Sequence, residues 1–70
     1  MDSRLRALGA NIRKIREDSG VSQELLANSS GIERSHMGKI ERGTMNLTVN
    51  TLFKIADTLG VSVVDVLYGV

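Results

Sequence analysis

The amino-acid sequence predicts an all-α fold of five helices, with residues 1–70 forming one domain. Proline, which interrupts helices, is absent, and most valine and isoleucine residues fall at helical spacing. Seventy residues is near the lower limit at which a chain buries enough apolar surface to fold alone. The chain has no cysteine, so no disulfide or thiolate metal site reinforces the fold, and a reducing cytoplasm is compatible with it.

The first two helices are predicted over about residues 3–18 and from Gln23 to Ala27. The apolar side chains of the first helix recur at intervals of three and four residues, which places them on one stripe. They are Leu5, Leu8, Ile12 and Ile15. Gly20 suits the left-handed conformation that follows a helix C-terminus, and Ser22 is a candidate N-cap for the second helix.

A tight turn from Asn28 to Gly31 leads into a third helix, predicted over about residues 33–41. Gly31 supplies a positive φ in this turn without steric cost. Gly43 closes the helix. The residues expected to face inward are Ile32, Met37 and Ile40.

The fourth predicted helix begins after Thr48, a candidate cap, and ends at Gly60. Its apolar face is expected to consist of Leu52, Ile55, Ala56 and Leu59. Ser62 and Asp65 then have the spacing of a capping box, which predicts a last short helix.

The stretch from Ser22 to Gly43 carries the functional information, and within it a helix-turn-helix is predicted at about residues 22–42. Two short helices joined by a glycine-containing turn predict helix-turn-helix geometry, and Ala27 is small where the two helices approach. The outer side of the second of these helices is polar and basic. It carries Arg34, Ser35, Gly38, Lys39 and Arg42. In an isolated helix this face would be interpreted as ordinary solvated surface. The preceding helix and turn instead favour a face that projects from the protein to contact a partner.

The distribution of charge is consistent with this interpretation. The net charge is only +1. Residues 1–47 contain eight Lys/Arg against six Asp/Glu, whereas residues 48–70 contain one lysine against two aspartates. The basic excess therefore lies in the part of the chain that contains the helix-turn-helix.

Catalysis is not expected. The chain has no cysteine nucleophile, no metal-ligand cluster and no glycine-rich phosphate loop, and His36 is its single histidine. We therefore predict a protein that is not an enzyme, with no catalytic residue, no metal site and no cofactor.

Five short segments resemble the Cro/repressor (XRE-type) helix-turn-helix family in order and approximate spacing. They are Gln23–Ala27, Gly31–Ile32, Ile40–Gly43, Leu52–Ala56 and Leu59–Ser62. The resemblance covers nearly the whole chain and implies a compact lambda-repressor-like domain that binds double-stranded DNA. Within the family, the loop at Gly43–Thr48 and the segment Asn50–Leu52 are similar to the controller proteins of restriction–modification systems.

The resemblance also implies which residues read bases. Arg34 and Ser35 lie near the start of the recognition helix, where side chains meet base edges in the major groove. Arginine can donate two hydrogen bonds to guanine O6 and N7. Lys39, one turn further along, reaches either a base at the edge of the site or a phosphate.

A second set of residues is implied to hold the DNA backbone. Gln23, at the start of the second helix, is expected to bind a phosphate with the help of the helix N-terminal amides. Arg42, Thr44 and Asn46 are expected to continue this contact on the other side. The alternative for Thr44 and Asn46 is that they only form the turn.

Arg16 and Glu41 stand where many family members pair the first helix with the end of the third. The resemblance implies a buried or half-buried ion pair that orients the recognition helix. Glu41 therefore has a structural role in this interpretation. Removing either partner of such a pair leaves a costly unpaired charge.

The segment of about residues 61–70 is more apolar than one face of a short helix needs, and an apolar surplus often marks a partner surface. In this family the last helix commonly forms the two-fold interface. The dimer candidates are Val63, Val66, Leu67 and Tyr68. The alternative for each of them is packing in the core.

The predicted function is transcription regulation by a homodimer on a short, imperfect palindrome. Two recognition helices related by a two-fold axis read half-sites about one helical turn apart. We expect no second domain that could hold an inducer and therefore no small-molecule effector, which suits an autoregulating restriction–modification controller. Alternatives are a small phage-type repressor and an antitoxin that masks a toxin.

No secretory signal or apolar run of membrane-spanning length is apparent, so a cytoplasmic location without membrane contact is expected.

Overall fold

Five α-helices form the framework of residues 2–70, the part of the chain that the computed structural model describes. In order they are α1 (Ser3–Asp18), α2 (Gln23–Ser29), α3 (Arg34–Arg42), α4 (Val49–Leu59) and α5 (Val63–Val66). No strand occurs in this range, and the predicted all-α, five-helix fold is confirmed. Residue 1, which the predicted domain includes, lies outside the described residues.

Hydroxyl side chains begin three of the helices as the sequence predicts. The Oγ of Ser22 accepts a hydrogen bond from a backbone N–H of α2 at 2.9 Å, and Thr48 does the same for α4 at 3.0 Å. At α5, Ser62 accepts from the Asp65 N–H at 3.3 Å while Asp65 accepts from the Ser62 N–H at 3.0 Å. These bonds satisfy N–H groups that a helix N-terminus leaves without intrahelical partners.

Helices α1, α2 and α4 end in a hydrogen-bonded turn that directs the next residue inward. After α2, the Ile32 N–H donates to the Ala27 carbonyl at 2.9 Å, and the Gly31 N–H donates to the Asn28 carbonyl at 3.2 Å. This is a Schellman motif, and the positive φ of Gly31, 69°, closes it. Because the motif needs helical residues before it, α2 extends through Ser29. The turn is therefore two residues shorter than the sequence predicted.

The apolar faces of the helices meet in one core. Val21, Ile32 and Val61, each of which follows a helix-ending glycine, pack against its edge. The predicted inward residues of α4 are buried, as are Met37 and Ile40 of α3, whereas Ile32 is half-buried. The core consists of Leu8, Ile12, Leu26, Ala27, Met37, Ile40, Leu52, Ile55, Ala56, Leu59 and Val66. Within residues 2–70, no helix combines the length and apolar composition that a membrane crossing requires.

Candidate nucleic-acid interface

The two faces of α3 differ sharply. Met37, Ile40 and Glu41 are buried against the rest of the protein. Gly38, which was predicted on the outer side, is covered by the side chains of Arg42 and Gln23. The side that faces solvent carries polar and charged side chains. It includes Arg34, Ser35, Lys39 and Arg42. The three candidates for base contacts and the backbone candidate Arg42 therefore lie on one exposed surface.

Helix α1 holds α3 from behind through contacts between the two backbones. A Cβ atom on Gly9 would lie 2.4 Å from the carbonyl oxygen of Ile40 and 2.5 Å from that of Glu41. At Gly43, which has a φ of 74°, a Cβ would lie 2.5 Å from the Cα of Arg6. Only glycine fits at these two close contacts, of which Gly9 lies on α1 and Gly43 directly follows α3. Sequence reasoning missed Gly9, although an isolated glycine inside a helix, which costs about 1 kcal/mol relative to alanine, often has a packing reason.

Arg16 and Glu41 form a bidentate ion pair between α1 and α3. Arg16 Nε donates to Glu41 Oε2 at 2.6 Å, and Arg16 Nη2 donates to Glu41 Oε1 at 3.0 Å. The two side chains are 11% and 3% exposed. Arg16 Nη1 also donates to the Val21 carbonyl at 3.0 Å. The hydrogen bond to Glu41 raises the pKa of the Arg16 guanidinium above its ordinary value.

Gln23, the predicted phosphate ligand on α2, also joins this cluster. Its Nε2 donates to Glu41 Oε1 at 3.0 Å. Glu41 therefore receives hydrogen bonds from both α1 and α2, which fixes α3 relative to the two helices that support it. Part of the hydrogen-bonding capacity of Gln23 is used inside the protein, a role that the sequence did not indicate.

Gly38 leaves room for two of the backbone candidates to come together. A Cβ at this position would lie 3.2 Å from Arg42 Nη1 and 3.6 Å from Gln23 Oε1. The guanidinium of Arg42 therefore folds back along α3 towards Gln23. This places a cation beside the N-terminal end of α2, on the same side as the exposed face of α3.

The segment after α3 differs from the other helix ends. The Thr44 N–H donates to the Lys39 carbonyl at 3.0 Å, in the same Schellman geometry, and the Thr44 hydroxyl donates to that carbonyl at 3.3 Å. Where the equivalent residues after α1, α2 and α4 are apolar and packed against the core, Thr44 is exposed. The hydroxyl bond favours the turn-forming role that the sequence left open, while the exposure leaves the side chain accessible.

Asn46 lies across an open cleft from α3. The cleft has a volume of about 450 Å³ and is lined on one side by Glu33 and His36 and on the other by Asn46, Leu47 and Thr51. His36, whose surroundings the sequence did not specify, is exposed here. Among residues 2–70 no three His, Asp or Glu side chains are grouped so as to hold a metal ion.

The four dimer candidates occupy different environments. Val66 is 0% exposed and is part of the core, and Val63 is half-buried against that core. Leu67 is 40% exposed and Tyr68 is 83% exposed. The reason is helical geometry, because residues 63 and 66 share the inward face of α5. Among the exposed apolar residues that were not predicted as partner contacts, three lie on helices α4 and α5. They are Val49 and Phe53 on α4 and Val64 on α5.

Comparison with known proteins identifies the family. The helix-turn-helix family HTH_3 matches residues 12–66. Control protein C.BamHI from Bacillus amyloliquefaciens is 39% identical over 69 residues, which cover 96% of this chain and 85% of that protein. The HTH-type transcriptional regulator y4dJ from Sinorhizobium fredii is 38% identical over 65 residues, which cover 93% and 83% of the two chains. The crystal structure of the restriction–modification controller protein C.AhdI from Aeromonas hydrophila matches with a TM-score of 0.90 at 34% identity, covering 93% of this chain and 98% of that one. The chain therefore belongs to the HTH_3 family and is a DNA-binding helix-turn-helix transcription regulator related to restriction–modification controller proteins.

Proposed function

We propose that the protein binds a short palindromic DNA operator as a homodimer and is the autoregulatory controller of a restriction–modification system. The observation that carries the proposal is the exposed polar and basic face of α3, held on a rigid frame by Gly9 and by the Arg16–Glu41 ion pair. Similarity to C.BamHI and C.AhdI supports the restriction–modification context.

In this proposal the N-terminal half of α3 reads bases in the major groove. Arg34 and Ser35 are both exposed at the start of the helix. Arg34 donates to guanine O6 and N7, and Ser35 donates to or accepts from an adjacent base. Lys39 reaches the edge of the site one turn later. Because Met37 and Ile40 are buried in the core, α3 presents these side chains at a fixed height and rotation.

Phosphate contacts flank the reading helix. Arg42 and Gln23 lie together over Gly38 and bind one phosphate, with Arg42 supplying the charge. Asn46, exposed in the segment after α3, binds the backbone beyond it, and the exposed Thr44 joins it by rotating its hydroxyl from the Lys39 carbonyl to a phosphate oxygen. Contacts of this kind set the register of the protein on DNA and make affinity fall with salt.

The C-terminal segment of residues 61–70 supplies the dimer contact. Leu67 and Tyr68 present apolar surface to solvent, with Val63 at its edge, whereas Val66 has no surface to offer. Joining two copies through this segment gives two α3 helices that read half-sites about one turn of DNA apart. Occupancy then follows protein concentration, since dimerisation depends on it. No small-molecule effector is required.

The first test is a titration of purified protein against the DNA immediately upstream of its own gene, with scrambled DNA of equal length as control. Tight binding to the upstream fragment alone is the expected result, and a footprint then locates the operator. Equal, weak binding to both fragments would contradict autoregulation. Purification of the protein from its native host with a second protein attached would favour an antitoxin role instead.

Arg34→Ala and Arg42→Ala are expected to affect binding in different ways. Loss of a bidentate arginine–guanine contact should cost about 1–3 kcal/mol at the operator and little on scrambled DNA. Loss of Arg42 should weaken binding to both by a similar factor and reduce the salt slope by about one. Fluorescence anisotropy at several salt concentrations measures both effects. An Arg34→Ala variant that keeps wild-type discrimination between operator and scrambled DNA would overturn direct base reading by Arg34.

Leu67→Asp is expected to abolish the dimer. A carboxylate placed in an apolar interface loses its hydration without gaining a partner, so association becomes unfavourable. Leu25→Asp is the matched control, because Leu25 is 52% exposed but lies on α2. Sedimentation velocity should give a monomer for Leu67→Asp and the wild-type mass for Leu25→Asp. A Leu67→Asp variant that sediments as a dimer would exclude the proposed interface.

A further inference from the structure

Asn11 links α1 to the C-terminal segment through two hydrogen bonds. Its Nδ2 donates to the Val66 carbonyl at 2.9 Å and to the Tyr68 carbonyl at 2.8 Å. The acceptors lie 55 and 57 residues away in the chain. One amide group thus uses both of its N–H donors on the end of α5 and the turn that follows it.

The C-terminal segment needs this support. Helix α5 has only four residues, and a helix that short is not stable on its own. Its last carbonyls have no intrahelical partner. Val66 anchors the segment on its apolar side, where it is fully buried, and Asn11 holds it on its polar side. Together these two contacts decide the direction in which Leu67 and Tyr68 face solvent.

The same helix α1 also fixes the reading helix. Gly9 touches the backbone of α3, and Arg16 is paired with Glu41. Asn11 lies between these two positions on α1. Since α1 is one uninterrupted helix of 16 residues, it acts as a rigid bar that relates the C-terminal segment to α3.

We infer that Asn11 is a positioning residue that sets which half-site spacing the protein accepts. The inference rests on the proposed homodimer. In that dimer, the distance and rotation between the two α3 helices depend on the angle at which each C-terminal segment leaves its own protomer. Loss of the Asn11 hydrogen bonds lets this angle vary. The difference in affinity between the correct operator and operators of shifted spacing then becomes smaller.

The test uses an operator obtained by selecting the wild-type protein on a random duplex library, together with two derivatives that carry one base pair more or fewer at the centre. One base pair moves the half-sites by about 3.4 Å and rotates them by about 35°. Wild type should prefer the correct spacing by about tenfold or more, because either the DNA or the protein must be strained to bind an operator of altered spacing. Asn11→Ala should reduce this preference to about threefold or less, and it should weaken the dimer in sedimentation equilibrium.

Two further variants separate positioning from general stability. Asn11→Asp keeps the shape but places a carboxylate oxygen against two carbonyl oxygens, so it should disturb spacing preference and dimerisation more than Asn11→Ala does. Ile12→Val, at the neighbouring buried position, lowers thermal stability while leaving the Asn11 side chain unchanged, and it should keep the wild-type preference. Binding to a single half-site at high protein concentration should be equal for wild type and all three variants.

The outcomes distinguish the inference from the proposed function. If Asn11→Ala keeps the wild-type spacing preference, or if Ile12→Val loses as much of it, the inference is overturned while the homodimer stands. If wild-type protein stays monomeric at all concentrations, or if selection returns no palindrome, the proposed homodimer itself fails.

Discussion

Gly9→Ala is expected to destabilise the protein strongly and to remove about a third or more of its unfolding free energy. The added Cβ would lie 2.4 Å from the Ile40 carbonyl oxygen and 2.5 Å from the Glu41 carbonyl oxygen. Both are backbone atoms of α3, so no side-chain movement relieves the overlap and α1 must move away from α3. Overpacking of this kind costs about 3 kcal/mol or more, out of a total unfolding free energy of about 4–10 kcal/mol for a chain of this length.

The direction of this effect is diagnostic, because alanine is otherwise preferred over glycine in a helix by about 1 kcal/mol. Gly38→Ala is the matched control, since its Cβ would meet side chains and no backbone, namely the movable end of Arg42 at 3.2 Å and the Gln23 amide at 3.6 Å. We expect the melting temperature to fall steeply for Gly9→Ala and to stay equal or rise for Gly38→Ala, as followed by circular dichroism. Equal stability of the two variants would show that α1 and α3 do not approach as closely as described.

Glu41→Gln is expected to cost about 3–5 kcal/mol of unfolding free energy, the usual effect of removing one partner of a buried ion pair. The Arg16 guanidinium, whose side chain is only 11% exposed, would keep its charge and lose its counter-ion. For a domain of this size the melting temperature should fall by about 12 °C or more. DNA affinity should fall as well, because α3 loses its links to α1 and α2.

The double variant Arg16→Met, Glu41→Leu separates the charge from the packing. Replacing both charges by apolar side chains of similar size removes the unpaired ion, so stability should recover to near the wild-type value. Urea unfolding of wild type, Arg16→Met alone, Glu41→Leu alone and the double variant gives the coupling energy between the two positions. A Glu41→Gln variant within about 0.5 kcal/mol of wild type would mean that water, and not Glu41, solvates Arg16.

The fold follows from short-range patterns to a large extent. Hydroxyl caps at Ser22, Thr48 and Ser62 begin helices because the capping bond spans only three residues. Glycine followed by an apolar residue ends them, because the Schellman motif is also local. Helix α3 is shifted by one residue from its predicted range, and the largest difference is at the end of α2, where helical hydrogen bonds continue through Asn28 and Ser29 although both are common turn residues.

The candidate site was only partly accessible to the same reasoning. The exposed face of α3 follows from helical periodicity, once Met37 and Ile40 are assigned to the core. Gln23 was expected to touch only phosphate, yet it also donates to Glu41. Its partner lies 18 residues away on another helix, so no local pattern could predict the contact.

The C-terminal segment shows the same limit. Val63, Val66, Leu67 and Tyr68 are all apolar or aromatic, and composition does not tell which of them face the core. The rotation of α5 against α1 and α4 decides this: it buries Val66 and exposes Tyr68. The sequence predicted no role for Asn11, a polar residue within α1, because its acceptors are brought to it only by folding.

The sequence by itself determined the five helices, most of their boundaries, the core-facing stripes and the family to which the chain belongs, because these depend on interactions within a few residues or on patterns spread along the whole chain. Only the tertiary structure decided that Gly9 lets two backbones touch, that Asn11 holds the C-terminal segment, and which apolar side chains remain exposed. These features depend on where the helices lie relative to one another. That arrangement is set by packing between residues distant in sequence, which leaves little local trace.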